Sequence, residues 1–485
     1  MKYIPGADTP PRILIPGVST SAKQNKFMQD NYKKYLDDYI GIWNTDYDPI
    51  ERIKFSSASD HMFMNQAVIV ENDTVTFSHV NGVKDDTNKQ RADLDTRMAI
   101  GSVTKSYTGA LVEKFIDLGY ITSRTALATA YLNPTYSFPE NNITIDQLLT
   151  HTSRLSDIPY DVNAVSPTEG PAKWGFNYFK MYSQTGQIAV SAANMRLDFV
   201  SWFKDLTFPG TTVLPGQVGT PVATTIAVGQ FSYSNMGYIM LGLICEEAYK
   251  NATSTTKLLE TLYKEYIFDV VKMDTASAGY TSGYIEQPFD ARNLFQGLPT
   301  TRAVNEAQAY TSWDGGTTYG FLMYAATLTH PLGVFSAGAV KSSPLDVAKF
   351  LPAMSKGALM SAAATEEFFN GRVDSTVQMN NYGTVPNSDP NIGSTYGSGI
   401  IKFQLNATVG GVAAQPTGRT LYTHSGLRDG FVVHTLYDRV LDISVVITVN
   451  VDWAFLTTST FTRNIYKRYV ETYHASVVTW DVGTL

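Results

Sequence analysis

The chain has almost no sulfur chemistry to offer: one of its 485 residues is cysteine, Cys245, within the apolar run Tyr238–Cys245. A lone cysteine cannot close an internal disulfide, and nothing beside it forms a Cys/His nucleophile pair, so a buried, inert thiol is expected. Charge is sparse too, with 17% of residues charged and a net charge of −7. An acidic balance excludes nucleic acid as the main partner, because binding phosphates takes a basic surface. No basic amphipathic stretch suggests a membrane surface. The uncharged stretch 320–340 is broken by Gly, Thr, His and Pro, and the amino terminus MKYIPGADTPPRILIPG holds four prolines and no long apolar run. Neither a transmembrane helix nor a signal peptide is therefore expected. The seven histidines are scattered without ligand spacing, so no metal is expected, and no motif calls for another cofactor. Also missing are a Gly-x-Ser-x-Gly elbow, a His-Glu-x-x-His zinc helix, a Walker loop and a Gly-x-Gly-x-x-Gly fingerprint.

What is present is a globular composition, 44% hydrophobic and 12% aromatic, enough for a large core. Gln24–Ile42 has apolar residues near helical spacing. Ala67–Val70 and Val75–Val80, separated by Glu71-Asn72-Asp73-Thr74, read as a hairpin. Ser102–Leu118 reads as a helix with Tyr107, Leu111, Phe115 and Leu118 on one stripe and Gly119 as its stop. Thr144-Ile-Asp-Gln147 is a capping box opening a helix through Leu149. Further helical segments are Ala193–Leu206, Tyr238–Tyr249 and Lys257–Tyr266, set among long polar and aromatic loops. The carboxyl end returns to strands at Gly399–Phe403, Thr420–His424, Phe431–Tyr437 and Ile443–Val451, then a helix over Phe461–Tyr473. Strands at both ends with helices between them predict an α/β (α+β) fold whose antiparallel sheet is built from both termini. The expected division is a discontinuous sheet domain, 1–125 with 331–485, and a mainly helical region, 126–330, with the site between them.

Ser-x-x-Lys occurs three times, at Ser102–Lys105, Ser201–Lys204 and Ser254–Lys257. Context separates them. Ser102 follows Ile100-Gly101 at a helix start, where residues three apart share a face and the helix dipole favours negative charge. Ser201 and Ser254 are expected inside helical segments as surface or packing groups. A serine hydroxyl attacks only when a neighbouring base takes its proton. A lysine serves when desolvation or a nearby cation favours its neutral form, and a tyrosine when positive neighbours hold it as phenolate.

Beyond this pair, Met98–Lys105 (MAIGSVTK) and Ile143–Leu155 (ITIDQLLTHTSRL) are followed in order by Phe231-Ser-Tyr233-Ser-Asn235-Met-Gly-Tyr238. Ser336-Ala-Gly338 with Ser342–Phe350, then Tyr396-Gly-Ser-Gly399, then His424-Ser425-Gly426 complete the series. This succession, from about Ala67 to Val451, resembles the serine β-lactamase-like and penicillin-binding-protein-like family. That family includes class C β-lactamases, DD-peptidases, D-aminopeptidases, esterases on the same fold and some acyltransferases. The resemblance implies that Ser102 forms an acyl-enzyme and that Lys105 and Tyr233 share its proton, either acting first. It implies that Asn235 orients Lys105 or the substrate amide, and that His424 replaces the family's lysine beside Tyr233. It also implies an oxyanion hole made by the backbone N–H groups of Ser102 and Leu427. Removing one such donor costs about 3–4 kcal/mol of transition-state stabilisation. His151 reads as a buried helix-end histidine rather than a ligand.

The third motif is His-Ser-Gly, not Lys-Thr-Gly, so the cation that would bind a β-lactam carboxylate is absent. Arg428 either grips a substrate carboxylate with two hydrogen bonds or sits in a solvent-exposed turn. The aromatic runs Pro171–Tyr182 and Tyr310–Tyr324 either overhang the site or belong to the core. The leading expectation is a serine hydrolase acting on a small ester, amide or peptide, of carboxylesterase or D-amino-acid peptidase or amidase type. An acyltransferase and a non-catalytic ligand sensor are the rivals.

Overall fold

Asn72 and Asp73 both take left-handed backbone angles, φ 49° and 59°. A two-residue turn of this kind matches the right-handed twist of paired strands. It joins Asn65–Glu71 (β1) to Thr74–Asn81 (β2) as the expected hairpin. The structure is a computed structural model. It describes residues 64–81, 83–85, 90–132, 142–153, 229–273, 305–307, 310–311, 323–324, 335–375, 377–380, 383–386, 394–405, 419–428, 431–450 and 455–474.

The remaining strands of the main sheet are Val373–Asp374 (β3), Ser394–Tyr396 (β4), Ile401–Leu405 (β5), Arg419–Arg428 (β6), Phe431–Asp438 (β7) and Ile443–Val449 (β8). Their order is β2-β1-β8-β7-β6-β5-β4-β3, and every pairing is antiparallel. β1 runs beside β8 from Asn65 opposite Val449 to Glu71 opposite Ile443, so segments far apart in the chain are neighbours in one sheet. The expectation of a sheet made from both termini holds.

Every residue of β7 and β8 is buried, and so is most of β1, because both sheet faces are covered. That is why these strands read as continuous apolar runs rather than alternating ones. Ala67, Ile69, Val445, Ile447, Leu421 and Leu436 face the carboxyl-terminal helix, which supplies Ile465, Tyr466, Tyr469 and Val470 at helical spacing. Their neighbours Val68, Val70, Val433, Tyr437 and Val446 belong to the larger core on the opposite face.

That larger core holds Thr104–Asp117 (α1), Ile145–Leu149 (α2), Asn235–Thr253 (α3), Phe335–Gly338 (α4) and Pro344–Ser355 (α5); Phe455–Tyr473 (α6) is the carboxyl-terminal helix. The capping box of α2 is present, with Gln147 N–H donating to Thr144 Oγ1 at 3.2 Å and Thr144 N–H to Gln147 Oε1 at 2.8 Å. α1 differs from a one-stripe helix, since every residue from Thr104 to Phe115 is buried. Its polar side chains consequently need internal partners. Cys245 is fully buried in α3, and burial pushes its thiol up. Among the described residues no helix is long and apolar enough to cross a membrane. The segments Gln24–Ile42, Ala193–Leu206 and Pro171–Tyr182, with Ser201–Lys204, lie outside the described residues, as does most of Tyr310–Tyr324.

Candidate active site

The chain reaches the candidate nucleophile through Met98–Ala99, which pairs with Lys341–Ser342, and through Ile100 N–H, which donates to Val340 O at 3.0 Å. It then enters a 3-10 turn, Gly101–Val103, before α1 begins at Thr104. The expected helix from Ser102 thus opens with a tighter turn. Gly101 has φ +53°, and a Cβ there would fall 2.8 Å from Leu427 N, so glycine is required on both counts. Ser102, the middle residue of this turn, is half-buried, between the buried Gly101 and Val103.

One helical turn on, Lys105 is fully buried, and its Nζ meets oxygens of three neighbours among the described residues. Ser102 Oγ lies at 3.0 Å, Asn235 Oδ1 at 2.6 Å and the Ala337 carbonyl at 2.9 Å. Asn235 opens α3, whose N-cap Ser234 accepts from Gly237 N–H at 3.3 Å. Ala337 is held because Ser336 Oγ donates to Tyr238 O at 2.7 Å, locking α4 on α3. The motif Ser336-Ala-Gly338 was visible in the sequence, but its contribution, a backbone carbonyl, was not.

Aromatic rings enclose the amine. Lys105 Nζ stands 4.8 Å from the Tyr233 ring centroid and 5.8 Å from that of Tyr238. His151 lies 4.3 Å from the Tyr233 ring, 4.6 Å from Tyr396 and 5.0 Å from Tyr238. As expected for a helix-end histidine, His151 follows α2 with φ +57°, and Thr152 N–H donates to Gln147 O at 2.9 Å to close the helix end.

His424 is buried between Tyr396 and Tyr233, with ring centroids 5.9 and 6.5 Å away. Its tautomer follows from its partners. Nδ1 lies 2.7 Å from the Ser425 carbonyl, which can only accept, so Nδ1 carries the proton. Nε2 therefore accepts from the Tyr396 hydroxyl at 3.0 Å. Burial first, and the Lys105 charge second, push the imidazole down to about 3. The same two causes, with His424 as a third, hold His151 well below the usual histidine range. Both rings are neutral at physiological pH.

β6 extends past its partner β5, whose pairing stops at Ile401 opposite Thr423. The segment His424–Arg428 meets the nucleophile turn instead. A Cβ on Gly426 would fall 1.9 Å from Ile100 O and 3.2 Å from Ser102 N, which brings the Ser102 and Leu427 backbones side by side. Leu427 is 44% exposed. Ser425 is not brought to the lysine: strand alternation sends it to the sheet face opposite His424, where Oγ meets His434 Nδ1 at 2.6 Å. The Arg428 side chain lies outside the described part of the molecule. The competing Ser254 is exposed and caps α3 in a left-handed conformation rather than lying inside a helix, while Lys257 pairs with Glu265.

A second layer fixes α1 against the Tyr396–Gly399 segment. A Cβ on Gly399 would fall 2.1 Å from Lys105 O, and one on Gly109 would fall 2.0 Å from Ser398 O. Ser106 Oγ donates to Gly399 O, and Ser398 Oγ to the fully buried Glu113. Glu113 also accepts two bonds from Arg124, at 2.9 and 2.8 Å. Among the described residues, no group of three His, Cys, Asp or Glu converges as for a metal ion.

Solved structures share this fold. D-amino acid amidase from Ochrobactrum anthropi SV3, complexed with D-phenylalanine, superposes with a TM-score of 0.55 at 16% identity, over 91% of this chain and 99% of that one. A D-stereospecific amidohydrolase from Streptomyces sp. gives 0.53 at 16%, over 82% and 92%. The octameric penicillin-binding protein homologue from Pyrococcus abyssi gives 0.52 at 18%, over 83% and 72%. A family model described as Beta-lactamase matches residues 61–454, most of the chain and all of the site just described. With the sheet, the helical layer and the Ser102–Lys105 turn in that span, the chain belongs to the Beta-lactamase family.

Proposed function

We propose that the protein is a serine hydrolase that cleaves an ester or amide through an acyl-Ser102 intermediate. One observation carries this reading: a fully buried amine 3.0 Å from a half-buried hydroxyl at a helix start, with two further acceptors fixing the amine. With Lys105 neutral, Ser102 O–H donates to Nζ, and the two N–H groups of the amine donate to Asn235 Oδ1 and Ala337 O. Ser102 Oγ attacks the carbonyl carbon as its proton moves to Lys105, with Tyr233 beside the amine to relay it to the leaving group. The backbone N–H groups of Ser102 and Leu427 receive the oxyanion. Water then repeats the sequence on the acyl-enzyme.

His424 narrows the substrate. Both of its nitrogens are occupied and its ring is neutral, so it supplies neither charge nor a spare donor for a carboxylate on the leaving group. This favours a neutral leaving group, an alcohol or an amine, over a peptide ending in a free carboxylate. The fold relatives include a D-amino acid amidase and a D-stereospecific amidohydrolase, which makes D-amino acid amides the first substrates to assay, beside simple esters.

The test is a fluorophosphonate probe followed by peptide mass mapping, together with turnover of D- and L-phenylalanine amide and p-nitrophenyl esters. Labelling confined to Ser102, and lost in Ser102→Ala with the turnover, is the expected result. Labelling at another serine, or turnover that survives Ser102→Ala, would overturn the assignment.

A further inference from the structure

His151 contacts the Phe231–Asn235 segment in three ways that together bracket Tyr233. Its backbone carbonyl accepts from Ser232 N–H at 2.7 Å. Its ring Nδ1 accepts from Ser234 N–H at 3.1 Å. Its ring lies 4.3 Å from the Tyr233 ring, tilted by 35°, and packs edge-on to Phe231 at 5.7 Å. The next residue continues the seam, with Gly229 N–H donating to Thr152 O at 3.3 Å.

We propose that His151 is a positioning residue for Tyr233: it clamps the backbone on both sides of that tyrosine and stacks on its ring, so the phenol is held beside Lys105. This rests on the reading of Tyr233 as a proton-handling group. The geometry explains the residue type. The position requires φ +57°, which histidine and asparagine adopt more readily than most side chains. It requires a lone pair on the side chain at the Nδ1 position, and a flat ring. Histidine meets all three requirements; asparagine meets the first two, and phenylalanine only the third. The ring is 1% exposed, and Nε2 has no hydrogen-bond partner among the described residues. The side chain acts on Tyr233 through Nδ1 and its face.

A double-mutant cycle separates positioning from mere structural support. His151→Phe in the wild-type background should lower kcat by about 10- to 100-fold with KM little changed, the scale of a catalytic group displaced by about an ångström. His151→Asn, which keeps the acceptor, should recover much of that loss. In a Tyr233→Phe background both substitutions should change kcat less than about threefold, because the group they position no longer handles a proton. If His151→Phe does not fold, His151→Asn runs the cycle alone, with a partial loss expected only when Tyr233 is intact. Equal fold-losses in both backgrounds would overturn this proposal while leaving acylation at Ser102 untouched. Full turnover in Tyr233→Phe would overturn the role of Tyr233 and this proposal with it, again without affecting Ser102 labelling.

Discussion

Lys105 Nζ carries either three hydrogens or two and a lone pair, and Ser102 Oγ, Asn235 Oδ1 and Ala337 O can bond to it in both states. Removing the amine therefore acts twice. Lys105→Met should reduce turnover to background and also lower stability by about 1–3 kcal/mol, since buried acceptors lose a donor. Ser102→Ala, at a half-buried position, should abolish turnover yet stay within about 1 kcal/mol of wild-type stability. Turnover and urea midpoints measured on both variants test the contrast. His424 makes a pH prediction. In the unfolded chain a histidine takes a proton near pH 6.5, while the native ring stays neutral down to about 3. Between those values the unfolded state binds more protons, so stability falls as pH falls, by about 1.4 kcal/mol per pH unit. The native-neutral His151 adds in the same direction. Unfolding free energies at pH 7 and pH 5 should differ less in His424→Gln than in wild type; an unchanged difference would mean that the ring is not held neutral.

At the level of elements, the close approach of α1 to the Tyr396–Gly399 segment sets two effects against each other. Gly109→Ala should gain about 1 kcal/mol of helix propensity. Its Cβ, however, would sit 2.0 Å from Ser398 O, and relieving such an overlap costs about 1–3 kcal/mol or more. Net destabilisation is expected, read as a lowered Tm, together with reduced turnover as Tyr396 and its partner His424 shift. A stabilised Gly109→Ala protein would show that the segment yields freely. This contact also marks where sequence reading stops. The β1–β2 hairpin, the capping box of α2 and the Ser102–Lys105 turn were legible because neighbouring residues encode them. Asn235 was legible because its motif followed in order. The Ala337 carbonyl was not, since any residue type offers a carbonyl, and the Tyr396–His424 bond was not, since it depends on where β4 and β6 lie across the sheet. That Ser425 faces away from His424 was not legible either, because the motif gives adjacency, whereas the pleat decides which face each residue takes.

On the scale of the whole molecule, Cys245 is a built-in reporter. It is the only cysteine, it is fully buried, and burial disfavours its thiolate. A disulfide reagent such as DTNB should leave the native protein unmodified and label it only as denaturant unfolds the core, in step with loss of circular dichroism. Rapid labelling under native conditions would mean that α3 opens locally. The sheet itself joins remote parts of the chain: Met64 N–H donates to Asn450 Oδ1 across 386 residues, just beyond the pairing of β1 with β8. A ribosome adding about 5–20 residues per second would release the β1–β2 hairpin on the order of twenty to eighty seconds before its neighbour β8 emerges. Through that interval the Ala67–Val70 edge waits without the strand that covers it. Nascent chains of this protein should therefore depend on chaperone protection far more than the finished fold does.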